Sequence, residues 1–140
     1  MFSTIAVGTD GSATASEAVR AAAEIARRFE AGLVLLSAYR ESGEAVTDPG
    51  GDEEQWAFNP VARLREILAR TEADLKREGI AVSTLIDDGQ PADVLIRLAE
   101  ECGADLLVIG NRGMQRRMLG SVPNTVTHRA PCAVLVVKTS

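Results

Sequence analysis

The chain has 140 residues, of which 46% are hydrophobic and 25% are charged, and these fractions are typical of a globular domain. They exclude a disordered chain, a collagen and a coiled coil, and the longest apolar runs are far too short to span a membrane. We therefore expect one domain over residues 1–140. Because the first residues lack the pattern of a signal peptide and the two cysteines suit a reducing compartment, we expect a cytoplasmic protein.

The net charge of −5 is unevenly distributed along the chain. All 20 acidic residues lie within residues 1–105, whereas the five charged residues that follow are all Lys or Arg. The acidic total argues against a nucleic-acid-binding protein. The positive tail favours a small anion such as a phosphate, and chance clustering on a solvated surface explains it equally well.

Short apolar runs alternate with amphipathic segments throughout the chain, and this alternation predicts strands that alternate with helices. In chain order we predict a strand at 4–8, a helix at 12–30, a strand at 33–38, a helix from Pro60 to Gly79, a strand at 81–86, a helix from Pro91 to about Gly103, a strand at 106–109, a helix at 122–129 and a strand at 133–137. The acidic, Gly-containing stretch 40–59 is predicted to be a long loop.

The first predicted helix carries recognisable signals at both ends. Ser12 or Asp10 can cap its start, and Gly32 is the candidate for its C-terminal cap. Its Ala-rich apolar face includes Phe29, which we expect to be directed into the core.

The predicted strands lack polar alternation, so we expect them to be buried on both faces in a parallel sheet between two helical layers. In sheets of this kind, ligands bind beyond the carboxyl ends of the strands, at the point where the winding direction reverses. The candidate ligand-binding loops are therefore those that follow the strands.

The loop at residues 110–120 has the strongest chemical signal. Gly110-Asn-Arg-Gly113 follows a strand, and Gly120-Ser121 precedes the last helix, so backbone amides and the Ser121 hydroxyl can bind an anion there. Arg112, Arg116 or Arg117 can neutralise further charge. The alternative is a tight connection in which Ser121 only caps the helix. The loop matches neither the P-loop motif nor the dinucleotide-binding motif.

Asp10 is the second candidate, because its carboxylate follows the first strand and can accept hydrogen bonds from a ribose or a base. Its alternative role is to cap the first helix. No convincing general base or nucleophile lies near the glycine loop, so we expect a binding protein without dedicated catalysis, with slow ATPase activity as the alternative.

Four segments together resemble the universal stress protein (UspA-like) family over essentially the whole chain. They are Gly8-Thr-Asp-Gly-Ser12, Ala104-Asp-Leu-Leu-Val-Ile-Gly-Asn-Arg-Gly113, Leu119-Gly-Ser-Val122 and Ala130-Pro-Cys-Ala-Val-Leu-Val-Val137. The resemblance implies an α/β fold: a three-layer, doubly wound, parallel five-stranded sheet with strand order 3-2-1-4-5, of the adenine nucleotide alpha hydrolase-like type. It also implies a role in the stress response and a homodimer formed through the strand Ala133–Val137.

The resemblance further implies a site for ATP or another adenine nucleotide, such as AMP or cyclic AMP, together with Mg²⁺. Asp10 would contact the adenosine. The residues implied in the adenine pocket are Gly8, Thr9, Ala38 and Ile109. The residues implied in phosphate binding are Gly110, Arg112, Gly113, Gly120, Ser121 and Val122.

The chain departs from the family pattern at one place. ATP-binding members carry G-x2-G-x9-G-[ST], whereas only six residues separate Gly113 from Gly120 here. Three missing residues remove up to roughly 10 Å of extended chain. A monophosphate or a cyclic nucleotide needs fewer phosphate contacts than a triphosphate. The shortened loop also keeps open the alternative of a dimeric interaction protein that binds no nucleotide.

Overall fold

The computed structural model describes residues 2–39, 60–111 and 121–139. Along these residues the elements are β1 (Thr4–Gly8), α1 (Ala13–Phe29), β2 (Gly32–Tyr39), α2 (Pro60–Arg77), β3 (Val82–Asp88), α3 (Pro91–Glu101), β4 (Leu106–Gly110), α4 (Ser121–Arg129) and β5 (Ala133–Val137). The predicted kind and order of the elements are confirmed. The predicted loop at 40–59 lies outside the described residues, as do Arg112, Gly113 and Gly120.

The five strands form one parallel sheet in the order β3-β2-β1-β4-β5. The chain winds outward from β1 in one direction to reach β3, then returns to the centre and winds in the other direction to reach β5. The predicted doubly wound fold is therefore confirmed, and the winding direction reverses between β1 and β4.

Helices cover both faces of the sheet, which gives the three predicted layers. On one face, α1 packs against β1 and β4, and α2 packs against β2 and β3; Ile5 and Val7 of β1 belong to this core. On the other face, α3 and α4 pack against the layer that contains Ala6 and Leu107. Successive residues of β1 thus serve different cores, which explains why this strand is apolar without alternation.

The end of α1 differs from the prediction. Glu30 adopts a left-handed conformation with φ of 54°, and its N–H donates to the carbonyls of Ala26 and Arg27. The prediction of Gly32 as the C-cap is wrong, because Gly32 belongs to β2, pairs with Thr4 and donates its N–H to the Ser3 carbonyl. Because Gly32 pairs with β1, it belongs to the sheet, and α1 ends two residues earlier, at the cap residue Glu30.

Two apolar side chains expected in the core are partly exposed. Phe29 is 50% exposed and contacts the ring of Phe2 edge-on, with 5.4 Å between ring centroids. Leu135 is 38% exposed because β5 lies at the edge of the sheet. Burial on both faces was thus the wrong expectation for β5. No helix in the described ranges combines the length and apolarity that a membrane span requires.

Candidate functional site

In a doubly wound sheet the ligand crevice is expected where the winding reverses, which here is between the carboxyl ends of β1 and β4. The register of these two strands ends at the pair Val7–Val108. Beyond it, Gly8 pairs with Leu36 of β2, and Gly110 pairs with Val137 of β5. Beyond Val7 and Val108, each strand therefore keeps its pairing with its outer neighbour, at the position where the winding of the sheet reverses.

Backbone and side-chain hydrogen bonds hold the chain in place just after β1. The Thr9 N–H donates to the Leu36 carbonyl at 2.9 Å, and the buried Ser37 hydroxyl donates to the Thr9 carbonyl at 2.5 Å. The Thr9 hydroxyl in turn accepts from the Gly11 N–H at 3.1 Å. Thr9 is thus buried, and its N–H, carbonyl and hydroxyl groups all have hydrogen-bond partners within the protein. These bonds fix the backbone that follows β1.

Asp10 and Ser12 both act at the start of α1. The Ser12 N–H donates to Asp10 Oδ1 at 2.8 Å, and the Ser12 hydroxyl accepts from the Ala15 N–H at 3.1 Å. Ser12 is therefore the N-cap of α1, whereas Asp10 does not cap the helix itself but holds the cap residue in an Asx turn. Asp10 is partly buried, and it brings a carboxylate to the positive end of the α1 dipole beside the crevice.

Gly8 is required by packing between β1 and the helical layer. A Cβ atom at Gly8 would lie 2.9 Å from Cδ1 of Leu95 and 3.5 Å from Cγ2 of Ile109. Ile109 itself is only 3% exposed and belongs to the same core cluster as Leu95. The structure thus places Gly8 against Ile109, and partly buried Ala38 packs on this cluster.

The predicted phosphate-binding residues are only partly described. Gly110 ends β4, whereas exposed Ser121 begins α4 and partly buried Val122 contacts the second core cluster. The Arg129 side chain donates to the Asp93 carboxylate at 3.0 Å and so connects α4 to α3. The start of α4 therefore presents a serine hydroxyl and the positive end of a helix dipole to solvent.

Asn111 and Thr139 are two buried polar residues at this end of β4 that the sequence reasoning missed. The Asn111 Oδ1 atom accepts from both the N–H and the hydroxyl of Thr139. Asn111 was noted only as part of the glycine motif, and no pattern in the sequence connects it with a residue near the C-terminus. Only the folded chain brings the two together.

The carboxylate of Asp87, at the carboxyl end of β3, already has fixed partners. It accepts from the Asp88 N–H at 2.8 Å and from the Arg97 guanidinium at 2.8 Å. Both hydrogen bonds lower the pKa of Asp87. Across residues 2–39, 60–111 and 121–139, no three His, Cys, Asp or Glu side chains are grouped as in a metal site.

Comparison with known proteins identifies the family. The family model described as the universal stress protein family matches residues 1–138. A universal stress protein of Mycobacterium tuberculosis is 38% identical over 144 residues, which cover 99% of this chain and 98% of that protein. A universal stress protein crystallised in complex with cAMP is 34% identical, with a TM-score of 0.76, 99% of this chain covered and 98% of the other.

A universal stress protein of Archaeoglobus fulgidus, crystallised in complex with dAMP, shares the fold with a TM-score of 0.70 at 24% identity, and the likeness covers 98% of each chain. The family model and relatives that match over almost their full length point to the same family, and the strand order agrees with it. The chain therefore belongs to the universal stress protein family.

Proposed function

We propose that this chain binds an adenine nucleotide in the crevice between the carboxyl ends of β1 and β4, and that it acts in stress signalling without dedicated catalysis. The observation that carries this proposal is that the pairing of β1 with β4 ends at Val7–Val108, at the reversal of the winding. The relative that was crystallised with cAMP supports the choice of an adenine nucleotide.

In this proposal the adenosine lies against the β1 side of the crevice. Gly8, Thr9, Ala38 and Ile109 form its apolar and backbone surroundings; Gly8 and Ala38 are only partly buried, whereas Thr9 and Ile109 are buried. Asp10 accepts hydrogen bonds from the ribose hydroxyls, while the Ser12 N–H keeps the carboxylate oriented.

The phosphate lies towards the start of α4. Ser121 offers a hydroxyl and α4 offers the positive end of its dipole, because the first N–H groups of a helix have no partner within the helix. The family resemblance implies the same role for Gly110, Arg112, Gly113, Gly120 and Val122.

The six residues between Gly113 and Gly120 favour AMP or cyclic AMP over ATP, since a short loop reaches fewer phosphates. A magnesium ion would be carried by the phosphates, because Mg²⁺ usually binds through one or two carboxylates together with substrate oxygens and waters.

The proposal excludes dedicated catalysis because the acidic groups near the carboxyl ends of the strands already serve other purposes. The Asp87 carboxylate is paired with Arg97, and its lowered pKa makes it a poor general base at neutral pH. Asp10 holds the Ser12 N–H. Binding and release of the nucleotide would then be the whole chemistry of the site.

We also propose that two copies pair through β5. This strand forms one edge of the sheet, and exposed apolar edge strands promote association. A twofold axis at the edge would pair β5 with its copy and cover Leu135. We expect Leu135→Lys to convert the dimer into a monomer in light scattering, whereas Ala81→Lys, an exposed position near the opposite edge strand, leaves the mass unchanged. A wild-type monomer at micromolar concentration contradicts this pairing.

The nucleotide proposal is tested by calorimetric titration of AMP, cyclic AMP and ATP into the purified chain. Asp10→Asn retains an oxygen for the Ser12 N–H but loses the charge, so we expect affinity to fall about tenfold or more, since hydrogen bonds to charged groups contribute about 1.5–3 kcal/mol. Asp74→Asn removes an exposed carboxylate on α2 and is the matched control, with unchanged affinity expected. Equal affinities of Asp10→Asn and wild type would contradict the assigned role of Asp10.

The second candidate function is a dimeric interaction protein that binds no nucleotide, and the shortened loop is the observation that favours it. It predicts no heat with any of the three nucleotides from a folded protein that is still dimeric. The first proposal predicts measurable heat from the same sample. One preparation therefore distinguishes the two functions.

A further inference from the structure

Asn111 and Thr139 form a buried polar contact at the carboxyl end of β4. Only 1% of Asn111 and 4% of Thr139 is exposed. Asn111 Oδ1 accepts from the Thr139 N–H at 2.7 Å and from the Thr139 hydroxyl at 2.9 Å, and the Asn111 N–H donates to the Val137 carbonyl at 2.9 Å. Three hydrogen bonds thus connect the residue after β4 with the end of β5 and the tail beyond it.

The methyl group of Thr139 also fills the space beside Gly110. A Cβ atom on Gly110 would lie 3.1 Å from Thr139 Cγ2, so a glycine is needed at this position for close approach of the tail. The hydroxyl and the methyl group of one side chain therefore contact two successive residues, Asn111 and Gly110. This arrangement fixes the end of β4 from the side of β5.

The crevice makes this support important. Among the described residues, the register between β1 and β4 ends at Val7–Val108, so β1 does not pair with the last residues of β4. Gly110 instead pairs with Val137, and Asn111 is held by Val137 and Thr139. The position of this wall of the crevice thus depends on contacts made behind it.

We propose that Thr139, acting through Asn111, is a positioning residue for nucleotide binding. This inference rests on the proposed function, because it concerns the affinity of the same site for an adenine nucleotide. Thr139 touches no nucleotide in this scheme; it holds the end of β4 at the separation from β1 that a nucleotide needs. Because Thr139 lies two residues beyond β5, the contact also connects the edge strand with the site.

Two substitutions separate the two parts of the Thr139 side chain. Thr139→Val keeps the shape and a methyl group beside Gly110 but removes the hydroxyl, so Asn111 Oδ1 loses one of its two donors from Thr139. Thr139→Ser keeps the hydroxyl and removes the methyl group. In Thr139→Val the Thr139 N–H still donates to Asn111 Oδ1, but the contact is weakened by one hydrogen bond, so the end of β4 can shift towards solvent more easily.

The experiment measures the AMP affinity of wild type, both variants and a control by calorimetry, with urea unfolding of each. The control is Ile80→Val, a buried site before β3 that loses one methylene group. We expect Thr139→Val to bind AMP about tenfold more weakly, because one lost hydrogen bond corresponds to about that factor. We expect Thr139→Ser to bind within about twofold of wild type, which corresponds to less than half of that energy. Ile80→Val should lose stability at unchanged affinity.

Each result supports or overturns the inference. Wild-type affinity in Thr139→Val, with lower stability, would show that the contact only stabilises the fold. Equal weakening in the Val and Ser variants would assign the effect to packing and would overturn the role of the hydroxyl. If wild type binds none of AMP, cyclic AMP and ATP, the proposed function itself fails, and this result differs from a failure confined to the variants.

Discussion

Gly8 allows a direct test of the packing at the β1 wall of the crevice, through the substitution Gly8→Ala. The added Cβ atom would lie 2.9 Å from Cδ1 and 3.1 Å from Cδ2 of Leu95, which is itself only 6% exposed. Contacts this short require Leu95 or the backbone to move. Overpacking of this kind costs about 1–3 kcal/mol of folding free energy.

An opposing effect lowers the net cost. Alanine restricts the unfolded chain more than glycine does, which stabilises the folded state by about 0.4–1 kcal/mol where the native backbone accepts it. Gly8 lies within β1 and its φ is outside the left-handed region, so no backbone strain is added. We therefore expect Gly8→Ala to lower the free energy of unfolding by about 1–2 kcal/mol.

Gly32→Ala is the matched control. Gly32 also lies in a strand, and the nearest atom to its Cβ position is the Ala81 carbonyl oxygen at 4.0 Å. Without crowding, we expect this substitution to be neutral or to stabilise the protein by up to about 1 kcal/mol. Urea unfolding followed by far-UV circular dichroism measures both variants against wild type.

A double-mutant cycle with Leu95→Ala identifies the source of the Gly8 effect. Removal of the Leu95 side chain leaves a cavity that costs about 2–5 kcal/mol, and the new methyl group at position 8 partly fills it. We expect the double variant to lose less stability than the sum of the two single variants, by about 1 kcal/mol or more. Simple additivity, or a Gly8→Ala variant as stable as Gly32→Ala, would refute the packing explanation.

Two further predictions concern titrating groups. The N–H groups of Thr4 and Ser3 donate to the Asp105 carboxylate and lower its pKa. The charged carboxylate therefore stabilises the fold fully at pH values above its unfolded pKa of about 3.9. This stabilisation is lost as the pH falls through the lowered pKa of the folded state. Asp105→Asn should lower the urea midpoint at pH 7, and a difference from wild type that does not shrink below pH 4 would contradict this. Burial raises the pKa of Cys102 and Cys132, so iodoacetamide at pH 8 should label the native thiols more slowly than the urea-unfolded ones; equal rates would contradict this expectation.

Local patterns in the chain were sufficient to predict the kind and order of the elements. Pro60 and Pro91 start helices, Ser12 caps one, and short apolar runs give the five strands of the sheet. These signals act between residues close in sequence, through backbone conformation and side-chain periodicity. The family resemblance then supplied the strand order, which the register of the sheet confirms.

The candidate site was predicted only in part. The sequence placed Gly8 at the end of β1, Asp10 just beyond it and Gly110 after β4, and in the structure these two strands are neighbours at the reversal of the winding. It also gives Gly8 and Gly110 packing roles against Leu95 and Thr139, which the glycine pattern does not reveal. A glycine needed for close packing and a glycine needed for a ligand look the same in a sequence.

Tertiary contacts alone determined which residues support the site and where the elements end. Gly32 joins the sheet because Thr4 pairs with it, and Asn111 is buried because Thr139, 28 residues away, donates two hydrogen bonds to it. Such contacts join residues distant in sequence, and their energy depends on distances and burial that exist only after the chain has folded. Those distances cannot be deduced from residue type and spacing alone.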